Sequence, residues 1–259
     1  MLNQTIALFQ FQFLMVVNRK YLFVLLAIYI SAIGVSQFIA ELAIVNSLEV
    51  VVGVLGDYLR YCLALFLMIA TCYQIAQDYE LKQFERILAM PLDRWQYVLS
   101  QLLVVCVFAF IMCAPVFFMM LTQAELALAA YWALAVFQEL VLIGLISMLA
   151  ALSLEKLPLS ILFTFAMYLL TKLVPFIGYI FNQSSIYYED EKGFQLGSFV
   201  ISMMQWVLPN MTIFAQNNLL YESSGHSDAL LNQFGSLLAY GMFILFVILF
   251  DFYRKEIKS

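Results

Sequence analysis

Ionisable residues are scarce in this sequence. Lys, Arg, Asp and Glu make up 11% of its 259 residues, against ~25% in a soluble domain. Twelve Lys and Arg stand against 17 Asp and Glu, a formal net charge of -5, so there is no basic field for nucleic acid. The single histidine, His226, excludes a His-rich metal site. Neither a Gly-x-x-x-x-Gly-Lys phosphate loop nor a Gly-x-Ser-x-Gly elbow occurs. Ser147 has no membrane histidine to activate it. An intramembrane aspartyl protease needs two buried aspartates, and only Asp251 falls inside a candidate span. Cys62, Cys72, Cys106 and Cys113 all stand in apolar stretches, where thiols act as small hydrophobes rather than a disulfide framework or metal site. Leu2–Val17 lacks a basic n-region and no small-residue cleavage pattern follows, so no cleavable signal peptide is expected.

Apolar residues fill the space the charges leave. They make up 65% of the chain, and the mean hydropathy is +0.95. A soluble fold of this size cannot hide so much apolar surface. A polytopic membrane protein can. About 20 apolar residues cross a hydrocarbon core of ~30 Å, and six segments qualify: Tyr21–Ala40, Tyr58–Ala76, Val98–Leu121, Leu126–Leu152, Leu159–Phe181 and Gly235–Tyr253. The fourth is long enough to tilt. The second is the least clean, with Asp57 and Arg60 at its start.

Positive charge sets the expected orientation. With both termini cytoplasmic, Arg19, Lys20, Lys82, Arg86, Arg94, Lys156, Arg254, Lys255 and Lys258 lie inside. Arg60 and Lys192 then lie at or beyond the outer surface, and Lys172 falls within a span. The expected class is an all-α membrane protein with six transmembrane helices in one domain, residues 1–259. Residues 1–18 read as an interfacial helix along the inner surface, with Ile6, Phe9, Phe13, Val16 and Val17 on one face and Thr5, Gln12 and Arg19 on the other. A plain extension of the first span is the alternative. Residues 182–234 form the large outer loop. Within it Leu196–Leu208 and Met211–Leu220 are apolar but too short to cross, and Pro209-Asn210 divides them. They read as a re-entrant hairpin between spans five and six; a loop resting on the surface is the alternative.

Residues 77–97 form the main cytoplasmic loop. Leu81, Phe84 and Leu88 fall at i, i+3, i+7, with Asp78, Lys82, Glu85 and Arg86 on the other face. The pattern predicts a short amphipathic helix ending near Pro91. It could rest on headgroups or dock a cytoplasmic partner. The run Tyr79–Tyr97 resembles the cytoplasmic coupling loop of type-2 ABC exporter permeases: an acidic residue, a leucine-rich helix end, then Pro, an apolar residue, Ser or Asp, Arg and an aromatic. Glu85, Leu88, Pro91, Arg94 and Tyr97 match; Lys82-Gln83-Phe84 and Gln101 depart from it.

The resemblance implies a permease subunit that forms the substrate path and couples to a separate ATPase. ATP and Mg would belong to that ATPase subunit, and this chain would carry no cofactor and no catalytic residue. Tyr79, Leu81, Phe84, Glu85, Arg86, Leu88, Pro91 and Arg94 would form the ATPase contact. Ser153–Pro158 would be a smaller one. A second permease chain, identical or different, would complete the path, surrounded by membrane lipid. A bacterial inner membrane would be the location.

Two ionisable residues lie deep in the apolar runs. Glu139 is 13 residues in from Leu126 and Lys172 is 13 residues in from Leu159. At ~1.5 Å per residue each reaches about 20 Å, near mid-membrane on adjacent antiparallel spans. Hydrocarbon solvates neither charge, so they are expected to pair, as a polar patch on the path or as a structural ion pair. Asp57 and Arg60 at i, i+3 read as a surface pair. Phe117–Met120 and Met203-Met204 read as lipid-facing or packing residues, or as the lining of an apolar path. Trp95, Tyr97, Tyr131, Trp132, Tyr187 and Tyr188 read as interfacial aromatics. An ion-coupled secondary transporter using Glu139 and Lys172, and a non-transporting membrane scaffold, are the alternative functions.

Overall fold

The computed structural model describes residues 9–10, 12–13, 19–42, 47–80, 94–122, 125–188, 192–214 and 226–254. Among them all regular structure is helical. The helices are α1 (Arg19–Leu42), α2 (Ser47–Glu80), α3 (Arg94–Leu121), α4 (Leu126–Leu154), α5 (Leu157–Tyr188), α6 (Lys192–Val207) and α7 (His226–Arg254), with a 3-10 turn at Met211–Ile213 between α6 and α7. All but α6 are long and apolar enough to cross a membrane. A helix satisfies its own backbone polar groups, which hydrocarbon cannot do.

The bundle is built around α4. This helix is apolar on every side, the signature of a helix buried all round. It packs against α2, α3, α5 and α7, and Leu140, Leu142, Ile143 and Met148 are fully enclosed. The approach of α3 is close at Gly144, where a Cβ would overlap Val105 Cγ1. By contrast α1, α5 and α7 present Phe23, Phe38, Phe176, Phe243, Phe246 and Phe250 outward. That inside-out distribution fits a helical membrane protein whose rim meets lipid.

Several boundaries differ from those the sequence suggests. Helix α2 begins at Ser47 rather than Tyr58 and continues past Ala76 to Glu80. Asp57 and Arg60 lower the local hydropathy, yet they lie inside the helix. Gln77–Glu80 therefore belong to α2, and α3 starts at Arg94. Helix α5 runs on to Tyr188 and α7 starts at His226, which narrows the long connection expected at 182–234. Within it, α6 and the 3-10 turn follow one another across Pro209-Asn210.

At the α4–α5 junction the chain reverses in two residues. Glu155 adopts φ 58°, the left-handed conformation that often ends a helix, and its N–H bonds the Ala151 carbonyl at 3.2 Å. Pro158 then falls in the first turn of α5, where the missing N–H is not needed. Near the N-terminus the rings of Phe9 and Phe13 stack 5.7 Å apart and pack on the core. Gln12, expected on a polar stripe, is instead buried. The rest of the 1–18 interfacial segment lies outside the described residues.

Candidate functional site

The middle of the bundle holds three ionisable side chains from three helices. Arg60 lies 13 residues along α2 and Glu139 lies 13 residues along α4, about 20 Å from each helix start at ~1.5 Å per residue. Lys172 occupies the corresponding middle of α5. Lys172 Nζ stands 2.6 Å from Glu139 Oε1, and Arg60 Nη1 stands 3.8 Å from Glu139 Oε2. One carboxylate thus bridges two cations with its two oxygens. The Arg60 and Glu139 side chains are each 2% exposed and Lys172 is 14% exposed.

Aromatic faces complete the enclosure. The Arg60 guanidinium lies 4.7 Å from the Trp132 ring centre, and Lys172 Nζ lies 5.9 Å and 5.7 Å from the rings of Tyr61 and Tyr168. Such contacts stabilise a desolvated cation by roughly 0.5–2 kcal/mol. Trp132 and Tyr97, which read as interfacial aromatics, are buried inside the bundle. Arg60, which reads as one half of a surface pair with Asp57, is also inside. The misplaced helix start explains this: Arg60 sits three turns deeper in α2 than a span beginning at Tyr58 implies.

The same cations hold the segment after α6. A helix leaves its last carbonyls without intrahelical partners, and at the end of α6 a side chain of α7 serves them. The Tyr240 hydroxyl of α7 lies within hydrogen-bond reach of the carbonyls of Trp206 and Leu208, at 3.4 and 3.2 Å, and its one proton is shared between them. Pro209 follows, and Asn210 Oδ1 caps the 3-10 turn by accepting from Thr212 N at 3.1 Å. Beyond that, Arg60 Nη1 donates to the Phe214 carbonyl. Lys172 Nζ donates to the Met211 carbonyl at 3.5 Å. Gln233 Nε2 of α7 donates to the Ile213 carbonyl at 3.0 Å. The side chains of Met211 and Phe214 are fully buried. Three helices therefore converge through their side chains on the backbone of one short turn.

A cavity of about 400 Å³ adjoins that turn. Val174, Pro175 and Tyr179 of α5, Gln205 of α6, and Pro209 and Thr212 line it.

A second polar cluster lies at the opposite ends of α2 and α3. The Tyr97 hydroxyl donates to Asp78 Oδ2 at 3.0 Å, and both residues are buried. Tyr97 also stacks on Phe252 of α7 at 5.9 Å. The Tyr79 hydroxyl donates to the Leu152 carbonyl at 3.3 Å, and Gln74 Nε2 donates to Gln101 Oε1 at 3.4 Å. These contacts fix the two helix ends that flank residues 81–93. Of the suggested ATPase-contact residues, Tyr79 lies at the end of α2 and Arg94 begins α3. Leu81, Phe84, Glu85, Arg86, Leu88 and Pro91 lie outside the described residues.

The structure thus brings together Glu139 and Lys172 and adds Arg60, Trp132, Tyr168 and Gln233, which the sequence did not single out for this site. Arg60 left a trace as a charge beside an apolar run, and Trp132 as an expected interfacial aromatic. No group of three or more potential metal ligands occurs among the described residues. In comparisons with known proteins, no family model, curated protein or solved structure matches the chain.

Proposed function

We propose that this chain is the transmembrane permease subunit of an ATP-driven exporter of the type-2 ABC class. The observation that carries the proposal is the motif that runs from the segment after α2 into the first turn of α3, with Glu85, Leu88, Pro91, Arg94 and Tyr97 at the spacing of a coupling loop. Its setting supports the same reading. Asp78–Tyr97 and Gln74–Gln101 tie α2 to α3 on either side of it, so a push on residues 81–93 is delivered to two spans together. Six membrane-length helices with a short helix and turn between the last two fit the layout of that class.

In this proposal both termini and residues 81–93 face the cytoplasm, and α6 with its turn re-enters from the outer side. A separate ATPase binds ATP and Mg and docks on Tyr79–Met90. A second permease chain completes the path, in a bacterial inner membrane. Closure of the ATPases moves α2 and α3 as a lever and shifts the spans between two arrangements. Replacing Glu85 and Arg86 with Ala should abolish ATPase co-purification while membrane insertion persists. Undiminished recovery of the ATPase contradicts the docking assignment.

A second reading is favoured by one observation, the carboxylate of Glu139 at mid-bundle. In an ion-coupled transporter it would bind the coupling ion. Its two oxygens already face Lys172 and Arg60 at 2.6 and 3.8 Å, which favours a structural or gating role. Gradient-driven uptake without an ATPase would support the second reading.

A further inference from the structure

We propose that the groove between α5 and α6 binds one membrane lipid with an uncharged, hydroxyl-bearing headgroup. The groove consists of two cavities that share a wall. The deeper, of about 400 Å³, is bounded by Val174 and Pro175 of α5 and by Leu208 just beyond α6. The shallower, of about 260 Å³, is bounded by Phe181 of α5 and by Ser202 of α6. Gln205 lines both. Gly178 is what seats it there: a Cβ at that position would overlap the Gln205 amide, so a glycine is needed for the amide to lie against α5. The amide makes no hydrogen bond to a described residue. It therefore keeps both a donor and an acceptor for a ligand.

Depth identifies the ligand as a lipid. Leu169 is midway along Leu157–Phe181, the membrane-length part of α5. Counted from there at ~1.5 Å per residue, Val174 lies about 7.5 Å and Phe181 about 18 Å toward the α5–α6 connection. The edge of the hydrocarbon is ~15 Å from the midplane. The deeper cavity thus lies in the acyl region and the shallower one at headgroup level, and an amphiphile resident in that leaflet meets both. The lining decides the headgroup. Among the described residues, no Lys, Arg, Asp or Glu lines either cavity. The one cation within the membrane-length part of α5, Lys172, is committed to Glu139 at 2.6 Å and to the Met211 carbonyl. A phosphate would find no cation in the groove, whereas a hydroxyl finds the Gln205 amide and Ser202. In the deeper cavity Asn210 Oδ1 already accepts from the Thr212 N–H and hydroxyl. Val174, Pro175 and Leu208 offer an apolar wall to an acyl chain there. Lipid binding at this groove requires neither an ATPase nor a second chain, so it does not rest on the proposed function.

The test uses the purified full-length chain in detergent micelles, with native mass spectrometry counting the lipids bound. Monoglucosyldiacylglycerol is the uncharged probe, and phosphatidylglycerol with the same acyl chains is the phosphate-bearing one. The uncharged lipid should bind saturably, one per chain, and more tightly than phosphatidylglycerol. Gln205→Leu should weaken it a few-fold, as expected for loss of one hydrogen-bonding group. Gly178→Val, which displaces the amide into the groove, should abolish saturable binding. A cysteine at Ser202, which lines the shallower cavity, should be protected from a maleimide by the uncharged lipid, and one at the exposed Met203 should not. If Gly178→Val does not fold, Gln205→Leu and the protection of residue 202 decide. Binding that neither variant weakens, or equal protection at residues 202 and 203, overturns the site. Phosphatidylglycerol binding as tightly as the uncharged lipid overturns the headgroup assignment. Each of these results leaves the ATPase co-purification test untouched.

Discussion

Replacing Glu139 with Gln probes the centre of the bundle most severely. The substitution keeps volume and removes one charge, leaving Arg60 and Lys172 without their shared carboxylate. Arg60 keeps the Phe214 carbonyl and the Trp132 face, and Lys172 keeps the Met211 carbonyl and two tyrosine rings. Breaking a buried pair by removing one partner costs about 3–5 kcal/mol, and Glu139→Gln should fall in that range. Lys172→Met should be milder, roughly half as large. Its partner Glu139 keeps Arg60 nearby, and Lys172 is 14% exposed against 2% for Arg60. Because Arg60 remains, Lys172→Met added to Glu139→Gln should recover only part of the loss. The neutral triple variant with Arg60→Met should return to within about 1 kcal/mol of the starting protein, since all three burial penalties vanish together. Reversible unfolding in mixed detergent micelles, followed by tyrosine and tryptophan fluorescence, measures each difference. A Glu139→Gln protein as stable as the parent, or a triple variant that sums the three single losses, would refute the bridged arrangement.

Three further outcomes are expected. Gly144→Ala should destabilise the protein by about 1–3 kcal/mol, because the new methyl would overlap Val105 Cγ1 and a β-branched side chain has little room to turn; adding Val105→Ala should restore much of the loss in the same unfolding assay. Tyr97→Phe should cost about 1–3 kcal/mol by withdrawing the hydroxyl that serves buried Asp78, and Asp78→Asn should cost less because an amide still accepts from that hydroxyl. A reporter fused after Ser259 should read cytoplasmic in cells, while a cysteine at Ser224 is labelled by an impermeant reagent from outside; the reverse pattern would invert the proposed orientation.

The six long helices were legible because apolar runs of sufficient length carry their own signal. The start of α2 was not. Asp57 and Arg60 interrupt its hydropathy, and what makes Arg60 tolerable inside the bundle, Glu139 and Trp132 on α4, is remote in sequence. The meeting of Glu139 and Lys172 followed from depth along adjacent antiparallel helices, since rise per residue is fixed. The capture of the turn left no comparable trace. Its acceptors are the backbone carbonyls of Met211, Ile213 and Phe214, and a carbonyl has no residue identity to read. Pro209-Asn210 announced a break there but not its partners. Trp132 and Tyr97 misled for a related reason. An aromatic near the end of an apolar run looks interfacial, and only packing shows that one covers Arg60 and the other stacks on Phe252.

Affinity purification of the intact chain from native membranes in mild detergent tests the proposed function most directly. Co-purifying proteins would be identified by mass and the complex assayed for ATP hydrolysis. A permease subunit should bring down a Walker-motif ATPase in a fixed ratio, and the isolated complex should hydrolyse ATP. Recovery of the chain without any ATPase, under conditions where its fold survives, would contradict the account.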